Sequence, residues 1–299
     1  ILLLEKQKET NHYQIQSLPI NSGVFCLKKD RFQDVVWIGT DGQGVYLYSN
    51  PLYSIKSMVL SNYTEKIERP VRAIYLDDER TFWVGTKGNG ILKIYDYEFD
   101  KNISDCRAEV LTTSNSALSS NAVYCFAKSH RNLLWIGDEE GLTYYSYREK
   151  RIKSIPIRIG NEDFKYIHDI YETADSELWL ASVGMGVVKA RIAGTPDNPV
   201  IVDAQRYIIN DGELGSNYFF TIYAENEANL LFGNKGYGVF RYNETTNGLE
   251  PVSTHKYENM TLNNILAISK DSSNNYLRID KVHIGNLLSA LQCQEWFPE

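Results

Sequence analysis

The stretch LSSNAVYCFAKSHRNLLWIGDEEGLTYYSYREKRIKSIPI, residues 118–157, reads as four short strands divided by polar turns. LSSN (118–121) is a turn, AVYCFAK (122–128) a run of strand formers, and SHRN (129–132) a second turn. LLWIG (133–137), LTYYSY (142–147) and RIKSIPI (151–157) are further strands, separated by DEEG (138–141) and REK (148–150). No part of it sustains a helical period, so the unit is a meander of antiparallel hairpins.

The centre of this unit returns along the chain. WIGTDGQGVYLY begins at Trp37, WVGTKGNGILKIY at Trp83, WIGDEEGLTYYSY at Trp135, WLASVGMGVVKA at Trp179 and FGNKGYGVFRY at Phe232, about 50 residues apart. Self-similarity at that period marks a repeat architecture. The second strands VVWI, TFWV, LLWI and ELWL are apolar on both faces. A sheet solvated on one side alternates, whereas one sandwiched between two neighbours does not. Four-stranded sheets packed face to face around an axis meet that condition and leave few exposed edges. The expected fold is all-β: a β-propeller, with each aromatic filling the space between adjacent sheets.

The turns support this reading. G-T-D-G-Q-G and G-T-K-G-N-G supply positions for positive φ in a tight hairpin. Gly39, Gly85 and Gly137 are expected where a neighbouring sheet comes close. Glycine strings that bind phosphate open a helix; these precede the strands VYLY and ILKIY.

The pattern predicts blades at 21–66, 67–115, 116–160, 161–212 and 213–257, with partial blades at 1–20 and 258–275 and a divergent tail over 276–299. LNNILAI near residue 265 starts another copy, but the aromatic–glycine phrase does not follow. Two closures fit: a six-bladed ring sealed by both ends, or a fragment of a seven-bladed one. The chain opens on Ile rather than Met, and the expectation is a segment of a longer protein.

Among 299 residues, 43% are hydrophobic and 23% charged, as in globular proteins. The net charge of −7 argues against a phosphate-neutralising surface and hence against nucleic acid as a partner. No run approaches the ~18 apolar residues that span a bilayer, so no membrane contact is expected within this segment. The four Cys form no metal-ligand spacing. Cys26 and Cys125 hold equivalent places in their repeats, which favours small buried hydrophobes over a disulfide.

The phrase LSSNAVYCFAKSHRNLLWIGDEEGL resembles the two-component regulator propeller repeat, with echoes at GSNYFFTIYAENEANLLFGNKGYGV and LNNILAISKDSSNN. The resemblance covers the chain to about residue 275. It implies the periplasmic sensor region of a hybrid histidine kinase of Bacteroidetes, part of an inner-membrane receptor. Such regions resemble regulators of polysaccharide use, which implies an oligosaccharide or other small extracellular ligand. The implied partners are further propeller and kinase parts, with a homodimer as an option. The chain carries no kinase His box, receiver Asp pocket or DNA-binding helices, so it is read as a sensory module only, not an enzyme. A propeller-fold polysaccharide lyase or hydrolase, and a protein–protein scaffold, remain the alternatives.

In a propeller, loops joining second to third strands share a face with those entering each blade. One loop set offers Asp41, Gln43, Lys87, Asn89, Asp138, Glu139, Lys235 and Tyr237 as candidate ligand-binding residues. The other, with the strand starts just inside, offers Arg69, Arg72, Asn121, Tyr166, His168, Asn217 and Tyr218. Amides, charges and tyrosines at a funnel mouth suit a neutral or acidic sugar. No catalytic constellation, metal site or cofactor motif is expected. His168 lies beside Asp169, but neighbours on a strand point to opposite faces, so a packed core histidine is the expectation.

Overall fold

The computed structural model describes residues 2–6, 13–17, 20–30, 35–49, 54–58, 60, 67–97, 106–209, 217–252, 264–270 and 276–280. Five complete four-stranded antiparallel blades form among these residues. Blade 1 comprises Val24–Lys29, Val35–Thr40, Val45–Ser49 and Ser54–Met58. Blade 2 comprises Val71–Leu76, Phe82–Thr86, Ile91–Ile94 and Ala108–Leu111. Blade 3 is built from Val123–Lys128, Leu133–Asp138, Leu142–Ser146 and Arg151–Ile155. Blade 4 contains Ile167–Glu172, Glu177–Ser182, Gly186–Thr195 and Asn198–Tyr207. Blade 5 contains Phe219–Asn226, Asn229–Asn234, Gly238–Asn243 and Gly248–Pro251. Within each blade the strands pair in chain order, and first strands of successive blades lie beside one another around the axis.

Two hairpins stand outside these blades: Leu2–Lys6 with Tyr13–Ser17, and Ile265–Lys270 with Tyr276–Asp280. Residues 281–299 of the expected tail lie outside the described residues.

The core is a series of interblade clusters. Trp37 of blade 1 meets Phe82 of blade 2 at 4.3 Å between ring centroids, and Trp83 meets Tyr145 of blade 3 at 4.8 Å. Trp179 is met by Phe232 and Tyr242 of blade 5, at 5.6 and 4.7 Å. The four wedge tryptophans are at most 2% exposed. The expected close approach at the glycines is present: a Cβ on Gly85 would sit 2.8 Å from Val123 Cγ1, and one on Gly137 2.7 Å from the Ile167 carbonyl oxygen. Both neighbours belong to the first strand of the following blade.

Candidate functional site at the axial mouth

Every described first strand carries a β-bulge at the same place. The register shifts between Val24 and Cys26, Val71 and Ala73, Val123 and Cys125, Ile167 and Asp169, and Phe219 and Thr221. The terminal hairpin repeats it between Ile265 and Ala267. A bulge frees one residue from the ladder and re-aims its side chain. The freed residues are Phe25, Arg72, Tyr124, His168, Phe220 and Leu266, all half-buried. The mechanism is visible in the sequence around each: a bulky apolar residue before and a small one after (Val-Phe-Cys, Val-Arg-Ala, Val-Tyr-Cys, Ile-His-Asp, Phe-Phe-Thr).

Three neighbouring pairs of these residues touch across blades. The Arg72 guanidinium carbon lies 3.5 Å over the centroid of Phe25. The His168 ring stacks on Tyr124 at 4.3 Å and meets Phe220 edge-on at 5.3 Å. Arg72 Nε is buried and has no hydrogen-bond partner, so this polar group carries an unmet demand. Burial pushes the Arg72 guanidinium below its ordinary range, and Asp41 pulls it back. Burial, then the charges of Arg72 and Lys87, push His168 down to about 3. The imidazole is therefore neutral at pH 7, beside two cations. Burial, followed by Glu139, pushes the Tyr124 hydroxyl up.

The loops above this ring are stitched together by backbone hydrogen bonds. Within blades, the N–H groups of Asp41, Lys87, Glu139, Val183 and Lys235 donate to the carbonyls of Gly23, Pro70, Ala122, Tyr166 and Tyr218. Between blades, Gly88 donates to Asn121, Tyr166 to Glu139, and Gly184 to Asn217. The result is a rim of fixed turns rather than a set of loose loops.

The expected site residues sort into three groups on this frame. Arg72 and His168 belong to the inner ring, with Lys87 close enough to act on His168 electrostatically. Tyr166 and Tyr218, each 42% exposed, stand on the rim with Asp41, Gln43 and Lys235. Tyr166 adopts φ 55°, an outlier for a bulky residue that points to a constrained position. The Lys235 ammonium lies 5.6 Å over the Tyr218 ring, and Gln43 accepts the Tyr46 hydroxyl at 3.0 Å.

The third group holds the scaffold. Asn89 Oδ1 accepts the N–H groups of Glu68 and Arg69, Asn121 Oδ1 that of Thr113, and Asn217 Oδ1 that of Ile209. Asp138 is fully buried: Oδ1 accepts the N–H groups of Glu140 and Gly141, and Oδ2 the Ser119 hydroxyl at 2.6 Å. Burial pushes its carboxyl up to about 6. Glu139 is half-buried and Tyr237 packs at the edge of the blade 4–5 cluster. The histidine expectation changes in kind: His168 is packed, but on rings at the axis. Asp169 points the other way, where Oδ2 accepts the N–H of Ile222 at 2.7 Å.

Sequence reasoning missed Phe25, Tyr124 and Phe220. The available signal was the column in which Cys26 and Cys125 were already aligned; the ring residues sit one place before them.

No protein-family model matches the chain. A curated protein, Translation initiation factor 6 of Saccharolobus solfataricus, is 31% identical over 140 residues, which are 42% of this chain and 57% of that protein. Among solved structures, the chain is similar to the extracellular domain of a hybrid two-component system of B. thetaiotaomicron, at TM-score 0.62 and 18% identity, covering 92% of this chain and 34% of that one. A second such domain from that organism aligns at TM-score 0.52 and 17% identity, over 87% of this chain and 37% of that one. The Cps50 (Swd1) β-propeller domain of Myceliophteria thermophila aligns at TM-score 0.52 and 11% identity, over 76% of this chain and 72% of that one. At such identities these likenesses establish the β-propeller fold. The chain spans about a third of the length of the two bacterial domains.

Proposed function

We propose that this propeller is an extracytoplasmic ligand-sensing module of a hybrid two-component receptor, recognising an oligosaccharide at its axial mouth and signalling to a histidine kinase. The observation that carries this reading is the repeated bulge, which turns one side chain per blade toward the axis and assembles ring faces with a cation. Sugars are held by stacking on aromatic faces and by polar groups that fix their hydroxyls. Tyr124 and Phe220 supply the first, and Arg72, Lys87 and the rim tyrosines the second. The likeness to extracellular domains of hybrid two-component systems supports a place outside the cytoplasm, in the periplasm for an inner-membrane receptor. Among the described residues, no helix is long and apolar enough to cross a membrane.

Signalling requires the ligand to bind two receptor arrangements unequally, because a ligand indifferent to both shifts nothing. The remaining receptor parts, further propeller and kinase, would read that difference. A lyase or hydrolase reading fits the mouth less well. General acid–base work at neutral pH is best served by a group titrating near 7; His168 is held at about 3, and Asp138, pushed up to about 6, is fully buried with both oxygens taken by Ser119 and the turn N–H groups.

Thermal melting against a panel of plant and host oligosaccharides tests the proposal. A ligand at 100 times its Kd stabilises the fold by ~2.7 kcal/mol. Tyr124→Ala and Arg72→Gln should remove that shift while leaving the ligand-free melt within a few degrees of the parent. Undiminished binding in both variants would place recognition elsewhere and end this assignment.

A further inference from the structure

Away from the axial mouth, a cavity of about 690 Å³ lies between the outer strands of blades 2 and 3. Ligand pockets typically enclose ~300–1,000 Å³. On its wall sits Lys93, only 3% exposed. The ammonium is surrounded by ring faces: its distance to the centroid is 4.4 Å for Trp83, 4.7 Å for Tyr95 and 4.3 Å for Tyr145. Its hydrogen bond is a long one, 3.3 Å to the Tyr145 hydroxyl. Lys93 makes no ion pair among the described residues.

The chain contains its own control for this arrangement. Lys93 lies opposite Trp83 across the second and third strands, and Lys189 lies opposite Trp179 in the same way. Lys189 donates to Glu177 at 2.9 Å and is more exposed. Glu177 stands two places before Trp179; two places before Trp83 stands Thr81, also buried. Blade 2 has thus buried the lysine more deeply and moved the acid to the fourth strand, where Glu109 stands opposite Lys93, in the place of blade 4's Gln205, without forming an ion pair with it. Asp77 does not replace it, since Oδ1 accepts the N–H groups of Glu79 and Thr81 and Oδ2 accepts the Trp83 indole. Glu109 is engaged by the Tyr95 hydroxyl at 2.5 Å.

Three ring faces offset part of the cost of burying the ammonium, and none of them supplies the negative charge that a directly paired anion would. Burial pushes the Lys93 ammonium down, and the carboxylates of Glu109 and Asp77 act on it from a distance in the other direction. Arg107, whose guanidinium carbon lies 4.2 Å over the Tyr95 ring, adds a second cation at the cavity wall, which also carries the carboxylates of Asp77, Glu79, Asp96 and Glu109.

We infer that the cavity between blades 2 and 3 is a second ligand site, which takes a small organic carboxylate with Lys93 as its counter-ion and Trp83, Tyr95 and Tyr145 as its walls. The site is separate from the axial mouth and stands whether or not that mouth binds an oligosaccharide.

Calorimetric titration of the folded chain with D-glucuronate, citrate and benzoate, with D-glucose as an uncharged counterpart, tests this. At least one carboxylate should bind and glucose should not. Lys93→Met should weaken that binding tenfold or more while raising the ligand-free melting temperature, because it removes a buried charge that makes no ion pair among the described residues. Thr81→Glu, which restores the residue blade 4 uses, should block the site in the same manner; should it fail to fold, Lys93→Met decides. Arg72→Gln should leave carboxylate binding unchanged. Absence of binding by all three acids, binding insensitive to Lys93→Met, or binding lost only in Arg72→Gln would each overturn the inference.

Discussion

Each wedge tryptophan carries an indole N–H into a dry interface, and an unpaired buried donor costs about 1–3 kcal/mol. Trp37 donates to Asp30 Oδ2 at 2.9 Å and Trp83 to Asp77 Oδ2 at 2.9 Å. In blade 3 Ser129 stands in the place of this aspartate, and Trp135 donates instead to Glu172 of blade 4 at 2.6 Å. Asp77 also holds the turn into the second strand through the N–H groups of Glu79 and Thr81. Asp77→Ala should therefore cost about 3 kcal/mol in urea unfolding, several times the cost of an exposed carboxylate such as Asp78→Ala. A residue-scale pH effect belongs to His168. Its folded pKa of about 3 lies below the ordinary value of 6.5, so the unfolded chain binds the proton more readily. The stability it contributes is complete above pH 6.5 and is lost as pH falls toward 3. His168→Gln should flatten the denaturant midpoint profile across that window; an unchanged slope would mean the ring is solvated at the axis.

At the scale of the element, the second strand is where blades approach most closely. Gly137 faces the backbone of Ile167, whereas blade 4 carries Ala181, fully buried, in the corresponding place. Gly137→Ala sets a methyl against a carbonyl oxygen that cannot rotate away. It should lower the melting temperature by several degrees, in line with the ~1–3 kcal/mol cost of overpacking. Ala181→Gly should cost ~1 kcal/mol through strand entropy and lost contact. Blades were legible in the sequence because this same crowding imposes glycine and aromatics at fixed places in each copy. The bulge ring was not, since these first strands carry apolar residues on both faces, so the phase shift that an extra residue causes leaves no mark in the polar–apolar pattern. Tyr124 between Val123 and Cys125 reads as an ordinary outward residue until the register of the neighbouring strand is known. The amides Asn89, Asn121 and Asn217 misled for the opposite reason: loop polarity signals a turn clamp as readily as a contact for ligand.

At the scale of the molecule, stability is divided among neighbouring pairs of blades, each sealed by its own cluster. Blade 5 is sealed on its far side by Leu231, Val239 and Ile265, with Tyr223, Val252 and Ile268 packed against them. Ile265 is fully buried, and among the described residues it belongs to the two-stranded hairpin Ile265–Lys270 with Tyr276–Asp280. That hairpin continues the strand pairing across Tyr276, where the repeated phrase stops, because backbone pairing needs no tryptophan. In a linear array with nearest-neighbour coupling, damage at one end stays local. Ile265→Asp buries a carboxylate in an apolar seam, at a cost of several kcal/mol. Hydrogen exchange should then show amides of 219–251 losing protection while those of 123–155 keep theirs. Were the ends joined into a single closed ring, all blades would lose protection together. The pattern of exchange therefore distinguishes an open row of blades from a sealed propeller, and with it whether the axial mouth is held by blades alone or by closure.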